Sequence, residues 1–404
     1  MSAVSCAPDT PADQEPKDTQ AAADCDASAP SAPDANTPAA EVRISDSLST
    51  LAVGDVTGDG ADDLVVGDPY GDAALLFAGP LSSELSEADA ESLGSAVSDS
   101  YFGTLVAVAD IVGSGTDDVV VTGYSSLEVF DGPVANSRHP VVTMSGIDEP
   151  MAVSLGDVDG DGVADLLVGQ LGSVSGSSSA EGDLDSSQAS IQVDAPPNFT
   201  GGWMAPIATG DIDGDGVGDL VVAEGPQVAL FFGPLQGTVP ADAAQILNNG
   251  PGASSVLLGD LDGDGTSDLL VGSRGQSTIY VWTAPVAGGT EPSASFAHIS
   301  DPPESTEFGS DIAVTRSGNA SVVALGDELA DHDAGRVWLG RGPFCGAVDI
   351  DTAGSWVWPA SGDSSFGSPL RFGDLTGDGE PDLVAGSMAE RNSDGIVRIL
   401  AGPF

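Results

Sequence analysis

Lysine is almost missing from this chain. Lys17 stands alone, and the basic side chains number 10 against 63 acidic ones, for a formal charge of −53. Such a deficit argues against nucleic acid and anionic membrane surfaces as partners, because phosphate is held by Lys and Arg. No run of 18 apolar residues occurs, so no transmembrane helix is expected. The opening "MSAVSC" has neither a basic start nor a hydrophobic stretch, so a complete signal peptide is not read. Cysteine is scarce, with only Cys6, Cys25 and Cys345, and an odd count leaves at least one free, modified or paired between chains. Cys6, after "AVS" and before a Pro/Ala/Asp tract, reads either as the acylated end of a bacterial lipoprotein or as an ordinary thiol in a loose tail. Acylation there would leave Cys25 and Cys345 to pair with each other.

Signs of catalysis are equally sparse. The three histidines, His139, His298 and His332, are scattered, and no Gly-x-Ser-x-Gly elbow, Walker loop or GxGxxG after a strand is present. His332 lies between Asp331 and Asp333, but at an ordinary turn before a strand. The chain is therefore read as a non-enzyme. The five tryptophans, Trp203, Trp282, Trp338, Trp356 and Trp358, are read mainly as packing residues, with a carbohydrate platform as the alternative.

What is abundant is glycine (54), proline (27) and enough apolar residue (41%) for a packed core. Residues 1–40 are Pro/Ala/Asp/Ser-rich with almost nothing large and apolar, and are expected to be a disordered tether. From residue 41 the sequence repeats: "GDVTGDGADDLVVG" (54–67), "ADIVGSGTDDVVVTG" (109–123), "GDVDGDGVADLLVG" (156–169), "GDIDGDGVGDLVVA" (210–223), "GDLDGDGTSDLLVG" (259–272) and "GDLTGDGEPDLVAG" (373–386). An eroded copy is "DIAVTRSGNASVVALG" (311–326). Seven units across 41–404 average about 52 residues, the size of a four-stranded propeller blade. Each acidic loop lies between apolar strand-like runs, and a later run in most units stops at Gly-Pro, as in "ALLFAGP" (74–80) and "VALFFGP" (228–234). The last unit ends after its third strand, and "AEVRISDS" (40–47) resembles the outer-strand segment "ASFAHISD", so the N-terminal strand is expected to complete the last blade. In the third unit, Ser/Gly-rich 172–187 is expected to be an expanded loop in place of a clear third strand.

The acidic loop suits a hard cation. Asp157, Asp159, Asp161 and Asp165 hold loop positions 1, 3, 5 and 9, with the Val163 carbonyl at position 7 as a further oxygen. Calcium takes six to eight oxygens in flexible geometry, whereas zinc and copper favour His and Cys, which the loop lacks. The set recurs as Asp211, Asp213, Asp215, Val217, Asp219, and as Asp260, Asp262, Asp264, Thr266, Asp268. Two weaker versions carry Thr at position 3: Asp55, Thr57, Asp59, Ala61, Asp63, and Asp374, Thr376, Asp378, Glu380, Asp382. Five calcium sites are thus expected. Unit two, with Val112 and Ser114 at ligand positions, and the eroded copy are expected to bind none.

Together with Phe-Gly in "YFGT" (101–104), "EFGS" (307–310) and "SFGS" (365–368), this pattern resembles the FG-GAP repeat of integrin α-subunit propellers and their bacterial relatives. The resemblance covers about 41–404. It implies an all-β, seven-bladed propeller of four-stranded antiparallel blades, calcium in hairpin loops on the lower face, and a protein or glycan ligand on the upper face. The whole is expected to be a secreted or cell-surface monomer, on the lipoprotein reading anchored at Cys6. A polysaccharide-acting enzyme or lectin and a passive envelope protein are the alternatives.

Overall fold

The computed structural model describes residues 38–404 except 46–47, 97–100, 135–138, 148, 171–172, 178–183, 186–188, 195, 197–198, 200–205, 287–296, 301–306, 319, 331–334, 343–345, 350–355, 360–364 and 388–394. The expected tether, Cys6, Cys25, Cys345 and His332 lie outside the described residues.

Seven antiparallel sheets, built almost without helix, follow one another along the chain as the blades of a propeller. Blade 1 runs Leu51–Gly54, Asp63–Asp68, Ala73–Phe77 and Glu91–Gly94, from innermost to outermost strand. Blade 2 repeats this with Leu105–Ala109, Asp118–Thr122, Ser126–Phe130 and Val142–Ser145. Blade 5 does so with Ser255–Gly259, Asp268–Ser273, Thr278–Trp282 and Ala297–Ser300. Blade 6 uses Phe308–Ser317, Ala320–Asp327, Arg336–Arg341 and Trp356–Pro359. Second strands are buried on both faces, which is why they read as continuous runs such as "DLLVG" and not as alternation.

Two blades depart from the sequence reading. In blade 3, Ser173–Ser177 is a true third strand, paired antiparallel with Asp165–Gln170 and with Ile191–Asp194. The expectation that a loop replaces this strand is therefore corrected. Small residues suit the position because a Cβ on Gly176 would press into the Leu167 side chain, so "SVSGS" packs where a bulkier strand would clash. In blade 4, one extended run, Asp219–Phe231, supplies both middle strands. Its first part pairs with Ile207–Gly210 and its second with Gln245–Ala253. The Gly233 N–H reaches the Asp219 carboxylate at 2.8 Å, so the run doubles back on itself.

Blade 7 joins the two ends of the chain. Phe366–Gly373, Asp382–Ser387 and Gly395–Leu400 are completed by Ala40–Ile44, antiparallel to Gly395–Leu400 with Val42 opposite Val397. Closure comes from the N-terminal strand, as the resemblance of "AEVRISDS" to an outer strand suggests. Segments leading into outer strands also reach backwards. Glu84–Ser86 of blade 1 pairs parallel with Ala40–Ile44, and Gly237–Val239 of blade 4 pairs with Ile191–Asp194 of blade 3. Gly346–Asp349 of blade 6 does the same for Ala297–Ser300 of blade 5. These additions cover edges that would otherwise stay open.

The core is a ring of seven apolar clusters, one at each blade–blade interface. Ala52, Val65 and Leu76 of blade 1 meet Phe102, Val119 and Phe130 of blade 2. The interface between blades 7 and 1 joins Val384, Val397 and Ile399 to Leu51, Leu64 and Phe77. The Phe-Gly motif belongs to this ring. Phe102, Phe308 and Phe366 are fully buried, while the Gly103 and Gly309 carbonyls accept the Ser49 and Ser255 hydroxyls of the preceding blade, each at 2.9 Å. Trp282 and Trp338 are likewise buried in interface clusters, which favours packing over a carbohydrate platform for these two.

Candidate metal centre

Every first-to-second strand connection opens on the same end of its blade, taken here as the lower face. Six of the seven are nine-residue loops built by two aspartates. Asp157, at position 1, accepts the N–H groups of Gly160 and Asp161 on one oxygen (2.7 and 3.1 Å) and that of Gly162 on the other (2.9 Å). Asp165, at position 9, accepts the N–H groups of Val158 and Asp159 (2.7 and 3.1 Å). Gly160 and Gly162 take the left-handed conformation (φ 80° and 90°), which explains the Gly-x-Gly spacing. Blade 2 makes the same loop although positions 3 and 5 are Val112 and Ser114. Asp110 accepts Gly113, Ser114 and Gly115, and Asp118 accepts Ile111 and Val112. Positions 1 and 9 therefore shape the turn whether or not an ion can be held.

Positions 3 and 5 are where the loops differ. In blades 3, 4 and 5 the carboxylates at positions 1, 3 and 9 converge with oxygens within 4.8 Å of one another: Asp157, Asp159, Asp165; Asp211, Asp213, Asp219; Asp260, Asp262, Asp268. Position 3 also accepts the N–H of position 5 in each of these loops, at 3.1 Å, and position 5 repeats the pattern one step on. Asp161, Asp215 and Asp264 each accept the N–H of position 7, that of Val163, Val217 and Thr266, at 2.8–2.9 Å. Asp59 and Asp378 do likewise with Ala61 and Glu380. In the two Thr loops, Thr57 and Thr376 turn their hydroxyls toward Asp63 and Asp382, 3.4 Å away. A neutral donor there takes the inward place that a carboxylate holds in blades 3–5. The eroded copy has no loop at all: Ser317 pairs directly with Ala320 across a tight turn at Gly318.

Burial raises the carboxyl pKa values. Asp165, Asp219 and Asp268 are pushed up to about 6, chiefly by burial and further by the neighbouring loop aspartates, against the pull of backbone N–H donors. Asp213 and Asp262 rise for the same first cause, then through Asp215 and Asp264. Such groups gain from a proton or a bound cation.

Asp165 adds a sharper sign. In five other blades the second oxygen of the position-9 aspartate accepts the N–H of the residue before the proline that ends the third strand. Asp63 takes Gly79 (2.8 Å), Asp118 takes Gly132 (2.9 Å), Asp219 takes Gly233 (2.8 Å), Asp268 takes Ala284 (2.8 Å) and Asp382 takes Gly402 (3.1 Å). Unit three has no such proline, and Asp165 Oδ1 is buried without a hydrogen-bond partner. An ionised oxygen of that kind calls for a hydrogen-bond donor or a cation. The donor set is all oxygen, so the residues fit calcium: positions 1, 3 and 9 would hold it, and it would neutralise part of the negative charge they gather.

The Gly-Pro marker thus has a role that reading each motif separately did not reveal. It latches the end of the third strand to the acidic loop. A Cβ on Gly233 would sit 2.5 Å from the Gly218 carbonyl, which explains glycine at that position. Neighbouring loops are also joined. Gly218 and Ser267 donate to the Asp157 and Asp211 carbonyls of the preceding blades, both at 2.7 Å. The Asp62 carboxylate accepts the Asp374 N–H at 2.7 Å across the point of ring closure. Asp62 and its counterpart Asp117, which accepts the Asp55 N–H at 3.1 Å, escaped the sequence reading. Their position, just before the position-9 aspartate, was the available signal.

On the upper face a small cavity of about 30 Å³ lies between blades 3 and 4. Met151, Val193, Phe199 and Ile207 are among its apolar walls, and Gln170, Ser173, Asp194 and Glu224 are its polar side chains. Among the described residues no helix is long and apolar enough to cross a membrane.

Models of the FG-GAP-like repeat match residues 110–168 and 211–271, and a model of the FG-GAP repeat matches residues 366–400. Among solved structures, the chain is similar to BBS1N in the crystal structure of its complex with ARL6DN, soaked with mercury. The TM-score is 0.54 at 14% identity, over 89% of this chain and 93% of that one. The same complex soaked with lead gives 0.53 at 13%, over 89% and 94%. At these identities the likeness is one of fold. No curated protein matches the chain. The matched repeats, the buried Phe-Gly pairs and the closed ring of seven blades make this chain an FG-GAP β-propeller protein.

Proposed function

We propose that the chain is a calcium-stabilised binding module, working at the cell surface or outside the cell, whose partner is another macromolecule met on the upper face. The observation that carries the calcium part is the convergence of three carboxylates in each of blades 3, 4 and 5, with a buried, partnerless oxygen on Asp165. For a module site with Kd about 0.1 mM in about 1 mM calcium, each ion stabilises the fold by about 1.4 kcal/mol. Micromolar cytosolic calcium would leave such sites empty, which is why the reading places the protein outside the cytosol.

Binding, and not catalysis, is the role that fits a ring whose acidic chemistry is spent on its own hairpins. The structurally similar BBS1N propeller is in complex with a protein partner, which supports a protein ligand here. The test is a pull-down in millimolar calcium and in chelator, together with protein and glycan arrays. Capture of a defined partner in calcium alone supports the proposal. Capture of nothing in either condition favours a passive envelope protein. The cavity between blades 3 and 4 supports a second reading, a glycan-binding or polysaccharide-acting site, since a few polar side chains converge on its apolar walls. Retention of an oligosaccharide that Glu224→Gln abolishes would favour that reading.

A further inference from the structure

Adjacent acidic loops meet in a repeated register. A Cβ on the position-4 glycine of one loop would touch the position-7 residue of the next: Gly58 meets Thr116, Gly160 meets Val217, Gly214 meets Thr266 and Gly377 meets Ala61, at 3.2–3.8 Å. All four partners are small and uncharged. Between blades 5 and 6 the register is occupied by Arg316, whose guanidinium nitrogens lie 2.6 and 2.7 Å from where a Cβ on Gly263 would stand.

We infer that Arg316, carried by the one hairpin that has lost its acidic loop, is a built-in counter-cation for the blade 5 loop, so that this loop takes calcium about tenfold or more weakly than the loops of blades 3 and 4. The inference rests on the calcium reading proposed above. Two observations support it. The Arg316 Nη1 lies 3.7 Å from Asp260 Oδ1, with neither side chain more than about a third exposed. The hairpin is also anchored in place, because the Ser321 hydroxyl donates to the Leu261 carbonyl at position 2 of the same loop.

The direction of the effect is electrostatic. A divalent ion held by Asp260, Asp262 and Asp268 would share the loop with a guanidinium 3.7 Å from one of its ligands, and charges of +2 and +1 repel directly at a separation of about 6 Å. Even at the dielectric constant of water, that repulsion lowers affinity about tenfold, and the half-buried setting enlarges it. In return, the loop without calcium is less repulsive than those of blades 3 and 4. The three cages, alike in sequence, thus divide into two that depend on calcium and one that the protein partly neutralises itself.

The test uses the full chain, calcium chloride and EDTA, with thermal melts and calorimetric titration. Arg316→Thr restores the residue type found at this register in blades 2 and 5, and Arg316→Gln keeps the stem while removing the charge. Both variants should melt below the wild type in EDTA and regain that loss in millimolar calcium, and titration should show one class of site tightened about tenfold. Should Arg316→Thr fail to fold, Arg316→Gln carries the comparison. A wild type that binds calcium, beside variants with the same affinities and the same melting offset in both buffers, overturns the inference and leaves the calcium reading standing. A wild type with no calcium response overturns both.

Discussion

Asp118 and Asp219 occupy the same place in blades 2 and 4, and truncating each separates the latch from the ion. Asp219 is fully buried and accepts the N–H groups of Ile212 and Gly233, both at 2.8 Å. Asp118, also fully buried, accepts Ile111, Val112 and Gly132 at 2.8–2.9 Å. Each orphaned buried donor costs about 1–3 kcal/mol, and removing a buried carboxylate returns part of that, leaving a net loss of about 2–4 kcal/mol for either alanine variant. With an unfolding entropy of about 2.1 cal/mol/K per residue, a ring of this size loses about 3–5 °C in melting temperature. That loss should appear in EDTA for both Asp118→Ala and Asp219→Ala. In about 1 mM calcium, Asp219→Ala should fall a further 2 °C or so below its wild type, because the ion's share of about 1.4 kcal/mol goes with it. Asp118→Ala should show no such increment. Differential scanning calorimetry in the two buffers measures both. A change under 1 °C for Asp118→Ala would refute the latch, and equal calcium dependence of the two variants would refute the cage.

Chelation of the wild type should itself lower the melting temperature. The blade 3 and 4 cages at about 1.4 kcal/mol each, with smaller shares from the blade 5 cage and the two Thr loops, amount to at least about 3 kcal/mol, or roughly 4 °C, and an unchanged melt in excess chelator would remove calcium from the account. In chelator the carboxyls raised to about 6 bind more protons folded than unfolded, so stability should fall as pH rises from about 4 through 6. Saturating calcium should flatten that slope, and melts at stepped pH would show an identical slope in both buffers if the carboxyls do not face the ion. Gly103→Ala should cost more than about 2 kcal/mol, because φ is +99° and the new Cβ would meet the Ala73 carbonyl. Gly113→Ala, at φ +78° with nothing within 4 Å, should cost about half as much, and equal melts would deny the close approach. Deleting residues 1–45 removes the strand that carries Val42 and Ile44, so proteolysis should then begin in blade 7. Cleavage starting elsewhere would contradict its role as the closing strand.

Much of this architecture is legible in the residues themselves. Repetition of Asp at loop positions 1 and 9, Gly at 4 and 6, and an apolar run directly after each loop specifies a hairpin, because those carboxylates and glycines satisfy the turn's own backbone. Local chemistry of that kind leaves little choice, and six such copies with one eroded unit imply a ring. The third strand of blade 3 was not legible, since "SVSGS" is weak in β-propensity and becomes a strand only through the neighbours that flank it on both sides. The division of labour among the loop aspartates was equally hidden. Equal spacing makes positions 3 and 5 look alike, and each accepts the N–H two residues on, yet it is position 3 whose carboxylate converges with positions 1 and 9.

By itself, then, the sequence determined what each repeat can do alone: turn tightly, alternate strand with loop, and gather oxygen ligands. Tertiary structure decided everything that passes between repeats. It brought Gly-Pro onto the position-9 aspartate, Asp62 across the closure to Asp374, Ala40–Ile44 onto Gly395–Leu400, and Arg316 beside the blade 5 cage. The reason is distance along the chain. A hairpin's contacts lie within a dozen or so residues and leave a spacing to read, whereas partners from neighbouring blades or opposite ends of the chain meet only once the ring has closed.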